Sequence, residues 1–141
     1  VILLDTNVLL ELMRPSPDTK VVAWLNQCRH SEYWLSAVTV AEIGLGIALL
    51  PEGKRRRKLA ELAAQMFAED FAGRCLSFDQ EAAVVYAGIV SVRMGMGRSI
   101  SVEDAQIAAI AVTGQMMLAT RNTDDFVEIT GLTVVNPWLG G

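Results

Sequence analysis

Val1-Ile2-Leu3-Leu4-Asp5-Thr6-Asn7-Val8-Leu9-Leu10 opens the chain, and the change of pattern at Asp5 decides how the rest is read. Four apolar residues in a row, with no polar alternation, suit a strand buried on both faces. Asp5, Thr6 and Asn7 then supply the short polar side chains that start a helix. The helix is expected to run to about Met13 and to stop before Pro15. A strand passing at once into a helix is the first half of a parallel βαβ unit.

Working outward, the same alternation recurs. Asp18 can cap a second helix whose Val21, Leu25 and Cys28 share a face, and Tyr33 to Val38 reads as a second strand. Thr39 followed by Glu42 has the spacing of a capping box, and the apolar run continues as a helix until Pro51. Beyond the charged stretch from Glu52 to Lys58, apolar residues return at helical spacing at Leu59, Leu62 and Met66, so these two helices form a hairpin. Arg74 to Phe78 is the third strand, and Asp79 caps a helix carrying Val85, Ile89 and Val92 until Gly95 and Gly97 break it. Ser101 opens a further helix in which Ala105 to Val112 is so uniformly apolar or small that it must be surrounded by protein, with Gly114 as its carboxyl-end cap. Met116 to Thr120 and Leu132 to Val135 are the last strands. The predicted fold is α/β with three layers, helices covering both faces of a central, mainly parallel sheet of four to five strands, in a single domain spanning residues 1–141.

Composition narrows the chemistry. A chain of 141 residues, 52% hydrophobic, supports one core rather than two. No apolar run nears the eighteen or so residues of a membrane helix, and the amino end lacks the basic-then-apolar pattern of a secretory signal, so a cytoplasmic protein without membrane attachment is expected. A net charge of −4 excludes a polyanion binder that works through surplus Lys and Arg alone. An enzyme acting on nucleic acid stays open, because bound cations reverse the local sign. Cys28 and Cys75 form neither a disulfide framework nor a metal knuckle and are expected to be reduced, buried packing residues.

The lone histidine, His30, has no serine in a nucleophile elbow to serve. Gly95-Met96-Gly97 lacks the third glycine and the preceding strand of a dinucleotide fingerprint. Trp24, Trp34 and Trp138 show no regular spacing and are assigned to structure. The one concentrated basic patch, Lys54 to Lys58, is either a solvated hairpin face or a phosphate-contacting surface, and Arg14 and Arg121 lie nearer the acidic positions.

Those acidic positions are Asp5, Glu42, Asp104 and the Asp124/Asp125 pair, each where an apolar run gives way to a turn or a helix start. In open parallel sheets, ligands bind beyond the carboxyl ends of the strands, where the strand order reverses. Residues far apart in sequence can thus share one rim. Carboxylates within about 4 Å of each other repel by roughly 4 kcal/mol at an effective dielectric near 20, so a shared rim calls for protons or a divalent cation. Glu42 and Asp104 also have a plainer reading as stabilisers of helix starts. Asp5 is harder to dismiss, since a carboxylate closing a buried strand is costly unless paired or liganded.

Leu4-Asp5-Thr6-Asn7, Thr39-Val40-Ala41-Glu42 with Gly46, Asp104-Ala105-Gln106-Ile107-Ala108-Ala109 and Thr120-Arg121-Asn122-Thr123-Asp124-Asp125-Phe126 resemble, in order and interval, the successive motifs of PIN-domain ribonucleases. The Asn136-Pro137-Trp138 ending makes the chain most similar to the VapC and FitB type of toxin. The resemblance implies a metal-dependent endoribonuclease acting on RNA, held inactive by a cognate antitoxin, paired as a homodimer, and touching DNA only through the antitoxin. It assigns Asp5, Glu42 and Asp104 as ligands of Mg²⁺ or Mn²⁺, and Thr6, Asn7 and Thr120 as hydrogen-bonding supports. Where some relatives have a fourth acid this chain has Asn122, which leaves Asp125 as the supporting catalytic acid and the number of metal ions open. Arg14 and Arg121 become candidate substrate contacts. Two alternatives stand beside this reading: a Mg²⁺-dependent phosphoryl-transfer domain such as a receiver or phosphatase, and a non-catalytic PIN-like module whose acidic groove receives a basic peptide.

Overall fold

A computed structural model describes residues 1–140. Five parallel strands form one sheet in the order β3-β2-β1-β4-β5, with β1 at Ile2–Leu4, β2 at Tyr33–Ser36, β3 at Cys75–Leu76, β4 at Met117–Ala119 and β5 at Val134–Val135. Each strand pairs parallel with its neighbour, Leu3 opposite both Trp34 and Leu118. The expected α/β architecture is the one observed, although strands two to five are shorter than their apolar runs.

Alternation along β1 divides the core. Ile2 and Leu4 face one layer, where they meet Val8, Leu9, Val21, Trp24, Ile43 and Met66. Leu3 faces the other, with Ile107, Ala108, Leu118 and Phe126. The first layer is built from α1 (Thr6–Leu12), α2 (Thr19–Leu25), α3 (Ala37–Ala48) and α4 (Lys54–Gln65), which runs on into a wider π turn at Met66–Asp70. The second is α5 (Gln80–Gly95) against α6 (Val102–Thr113). Ala105 and Ile107 to Ala111 are buried, as the uniformly small and apolar sequence requires. Among the described residues no helix is long and apolar enough to cross a membrane.

Two local expectations need correction. Helix α3 begins three residues early: Ser36, not Thr39, is its N-cap, accepting the Thr39 N–H, so Glu42 lies in the second turn and caps nothing. Gly114 is the carboxyl-end cap of α6, as expected; it stays in a right-handed conformation, and the left-handed residue is Gln115, at φ 55°. A Cβ at 114 would lie 3.3 Å from the Ile110 carbonyl, a tight but small encroachment. Cys75 is exposed because β3 is an edge strand, while Cys28 is half-buried.

The strand order places the switch point between β1, whose next strand in sequence lies on one side, and β4 on the other. The crevice beyond the ends of these two strands is where a ligand of an open sheet is expected. Asp5 and Thr120 are the residues that follow them.

Candidate active site

Asp5 is fixed by both strands. Its N–H continues the ladder to the Ala119 carbonyl at 2.9 Å. Its carboxylate caps α1 by accepting the Thr6 N–H at 2.8 Å on Oδ1, while Oδ2 accepts the Thr120 hydroxyl at 2.7 Å and the Asn7 amide at 3.3 Å. Asn7 also donates to Thr120 Oγ1 and accepts the Arg121 N–H, and the Asn122 N–H donates to Thr120 Oγ1. Thr6, Asn7 and Thr120 therefore hold Asp5 as the sequence motifs imply. Asn122 joins through its backbone.

A second chain of hydroxyls leads to Glu42. Thr6 donates to Glu42 Oε1 at 2.8 Å, and the Thr6 and Thr39 hydroxyl oxygens lie 3.0 Å apart. A hydroxyl has one proton to give. With that of Thr6 on Glu42, the Thr39 hydroxyl donates to Thr6 and that of Ser36 to Thr39, the latter pair 3.3 Å apart. Ser36 and Thr39 are buried parts of this support; the sequence motifs mark Thr39 but not Ser36.

Asp104 sits in the first turn of α6, its N–H capped by Ser101 Oγ at 3.1 Å. Asp125 lies in the single 3₁₀ turn Thr123–Phe126 that follows β4, anchored by the buried Phe126.

The electrostatics join these residues into one site. Burial and then the charge of Asp5 push the Asp104 carboxyl up to about 6; the Ser101 hydrogen bond opposes this, and Asp125 and Glu42 add smaller upward contributions. Burial raises Asp5 too, opposed by Thr120, Thr6 and Asn7 and reinforced by Asp125. Burial likewise raises Glu42, offset by Thr6 and reinforced by Asp5 and the neighbouring Glu103. Of the Asp124/Asp125 pair, Asp125 is the one these acids feel. Glu103, an exposed acid beside Glu42, is a further member that sequence reasoning passed over.

No lysine or arginine makes an ion pair with any of these acids among the described residues, where the only salt bridges are Arg14–Glu11 and Arg98–Glu128. Arg14 is not delivered to the rim. It binds the buried Glu11 carboxylate at 3.1 Å and lines the groove on the α1–α4 face. Arg121 stays beside the site with its guanidinium 5.0 Å from the centre of the Trp138 ring, which gives that tryptophan a role as a platform.

The donors are all hard oxygens, the kind suited to Mg²⁺ or Mn²⁺. Among the described residues no three His, Cys, Asp or Glu side chains form a ready-made metal cage. The arrangement fits a cation that keeps several waters and takes one or two carboxylates directly, the others acting through water, which is the habit of Mg²⁺.

Residues 2–132 match the family model described as the PIN domain. The chain belongs to the PIN-domain family. The chain is 44% identical over 137 residues to the toxin FitB of Neisseria gonorrhoeae, covering 97% of this chain and 98% of that protein. It is 41% identical to the VapC ribonuclease Y4jK of Sinorhizobium fredii, covering 97% of each. Among solved structures, a chain of FitAB bound to an IR36 DNA fragment superposes with a TM-score of 0.89 at 45% identity, covering 98% of this chain and 96% of that one.

Proposed function

We propose that this chain, as a single PIN-like domain over residues 1–141, is a Mg²⁺- or Mn²⁺-dependent endoribonuclease and the toxin of a toxin–antitoxin pair. The observation that carries the reading is the gathering of Asp5, Glu42 and Asp104 within reach of one another's charge and of Asp125, with no basic partner among the described residues, so that burial and neighbouring negative charge make Asp5, Glu42 and Asp104 resist charging. Its likeness to a protein named a VapC ribonuclease supports the same activity.

Asp5, Glu42 and Asp104 would hold the cation, with Asp125 supporting them. When bound, the cation supplies positive charge for a phosphodiester and makes water more acidic. Thr120, Asn7 and the Thr6 N–H fix both oxygens of Asp5, and the hydroxyl chain from Ser36 through Thr39 and Thr6 fixes Glu42, so neither carboxylate has to reorganise when the substrate arrives. The exposed carboxylate of Asp125 is open to accept a proton from water. Arg121, held above Trp138, is placed to meet a backbone phosphate next to the site.

The antitoxin reading rests on a second surface. A groove of about 1110 Å³ between α1, α2 and α4 has an apolar floor including Leu10, Leu25, Leu62 and Phe71 and a basic margin including Lys54 and Lys58. An amphipathic segment with acidic flanks suits it. An arginine of the same partner could pair with the free carboxylates of the rim and block cation and RNA together. Exposed Leu45, Val84, Val92 and Met94 give apolar surface for a second copy of the chain. DNA would be reached through the antitoxin, as the FitAB complex with DNA suggests.

The test is incubation of purified protein with structured RNAs across a Mg²⁺ and Mn²⁺ titration, with a chelator control. Cation-dependent internal cleavage supports the proposal. Phosphorylation by a small phosphodonor without RNA cleavage would favour the phosphoryl-transfer alternative, and tight binding of a basic peptide with no metal uptake would favour the non-catalytic module.

A further inference from the structure

Arg93 stands near the carboxyl end of α5 with 3% of its surface exposed. Its Nη2 donates to the Asp125 carbonyl at 2.9 Å and to the Val127 carbonyl at 2.7 Å. Among the described residues no carboxylate makes an ion pair with it, and its buried Nε has no hydrogen-bond partner. A guanidinium never loses its charge in a protein, and a desolvated, unpaired charge is costly. Methionine or leucine at this position would fill the same space without that cost, so packing alone does not account for the arginine.

What it holds does account for it. The two carbonyls belong to the turn that carries Asp125 and to the residue that leaves it. Immediately afterwards Glu128 adopts φ 62°, a left-handed conformation that residues other than glycine rarely take. The chain therefore exits the turn through an unfavourable residue and needs an external restraint to stay there. Phe126 anchors the turn below, and Arg98, just past the carboxyl end of α5, reaches Glu128 at 3.7 Å, an exposed and weaker tie. Asp125 itself is exposed, and among the described residues its carboxylate makes no hydrogen bond, so its direction is set by its backbone. Arginine suits this task because its planar fork is rigid once placed.

We propose that Arg93 is a positioning residue, which clamps the Asp125 and Val127 carbonyls and thereby aims the Asp125 carboxylate at the acidic rim and sets the cation affinity of the site. This inference rests on the nuclease reading above. Outer supports of this kind change metal affinity or activity by about 10- to 100-fold when removed.

The test is calorimetric Mn²⁺ binding by wild-type protein, Arg93→Met, Arg93→Lys, Asp125→Asn and the Arg93→Met/Asp125→Asn double variant, with unfolding midpoints recorded alongside. Arg93→Met is expected to weaken Mn²⁺ binding about 10-fold. Arg93→Lys, which keeps the charge but loses the fork, should shift it the same way by less. The double variant should bind no more weakly than Asp125→Asn alone, because the arginine acts through that carboxylate. If Arg93→Met does not fold, Arg93→Lys decides. Lower stability with wild-type Mn²⁺ affinity, or losses that add fully in the double variant, would overturn the proposal. Wild-type protein that takes up no Mn²⁺ sinks the nuclease reading and this inference with it; normal wild-type uptake with unaltered Arg93 variants sinks this inference alone.

Discussion

Replacing Asp5 by asparagine is expected to bring the Asp104 carboxyl down from about 6 toward its ordinary value of 3.8. A displacement of that size would be roughly 3 kcal/mol between the two protonation states. Asp104 is only half-buried, so solvent and salt reduce this to about 1–2 kcal/mol. Burial is the larger cause and the Asp5 charge the next, so removing that charge should lower the Asp104 pKa and leave the burial part in place. In metal-free wild-type protein the folded value lies above the ordinary one, so this group's stabilising contribution is complete below pH ~4 and is lost as pH rises through 6. Asp5→Asn keeps one acceptor for the Thr6 N–H but turns an NH₂ toward two donors, the Thr120 hydroxyl and the Asn7 amide. Melting temperature therefore mixes opposing effects. The clean assay is a carbon-detected NMR titration of the aspartate carboxyls in metal-free protein. An Asp104 midpoint unmoved by Asp5→Asn, or moved upward, would refute the claim that the two share one field.

Thr120→Val keeps the shape but removes the hydroxyl that serves Asp5, Asn7 and the Asn122 N–H; urea unfolding should show a loss of about 1–3 kcal/mol. Added Mn²⁺ should raise the melting temperature more at pH 7.5 than at pH 5, where a protonated Asp104 competes with the cation; equal increments at the two pH values would count against the site. Ile107→Ala, on the buried face of α6, should cost about 2–5 kcal/mol in the same urea assay and leave the Mn²⁺ affinity of the folded fraction unchanged.

Much of this molecule can be read before folding because its signals are local. The run before Asp5 and the burst of small apolar residues after Asp104 announce a two-sided sheet and an enclosed helix, and both are found. The acidic positions are legible for a different reason: Asp5 directly follows a strand, Asp104 opens a helix and Glu42 lies in the second turn of the helix that follows β2, and parallel topology delivers such positions to one edge. Misreadings arise where two local signals compete. Ser36 and Thr39 both offer a capping hydroxyl, and the structure uses the earlier one, which frees Thr39 to join the hydroxyl chain to Glu42. At the end of α6 the glycine is the cap that the sequence announces, while the left-handed residue, Gln115, carries no pattern to mark it. Arg93 is invisible to pattern because a charged residue on a mixed helix face reads as solvated, and the carbonyls it serves lie more than thirty residues further along. Arg14, near Asp5 in sequence, is turned away by Glu11, a buried acid with no pattern to mark it.

The central claim is that Asp5, Glu42 and Asp104 serve a single cation. Counting bound Mn²⁺ by electron paramagnetic resonance in wild-type protein and in the Asp5→Asn, Glu42→Gln and Asp104→Asn variants tests it most directly. The account predicts that each substitution weakens the same binding event in an otherwise folded protein. A variant that binds Mn²⁺ as wild type does, or substitutions that abolish different binding events, would contradict it.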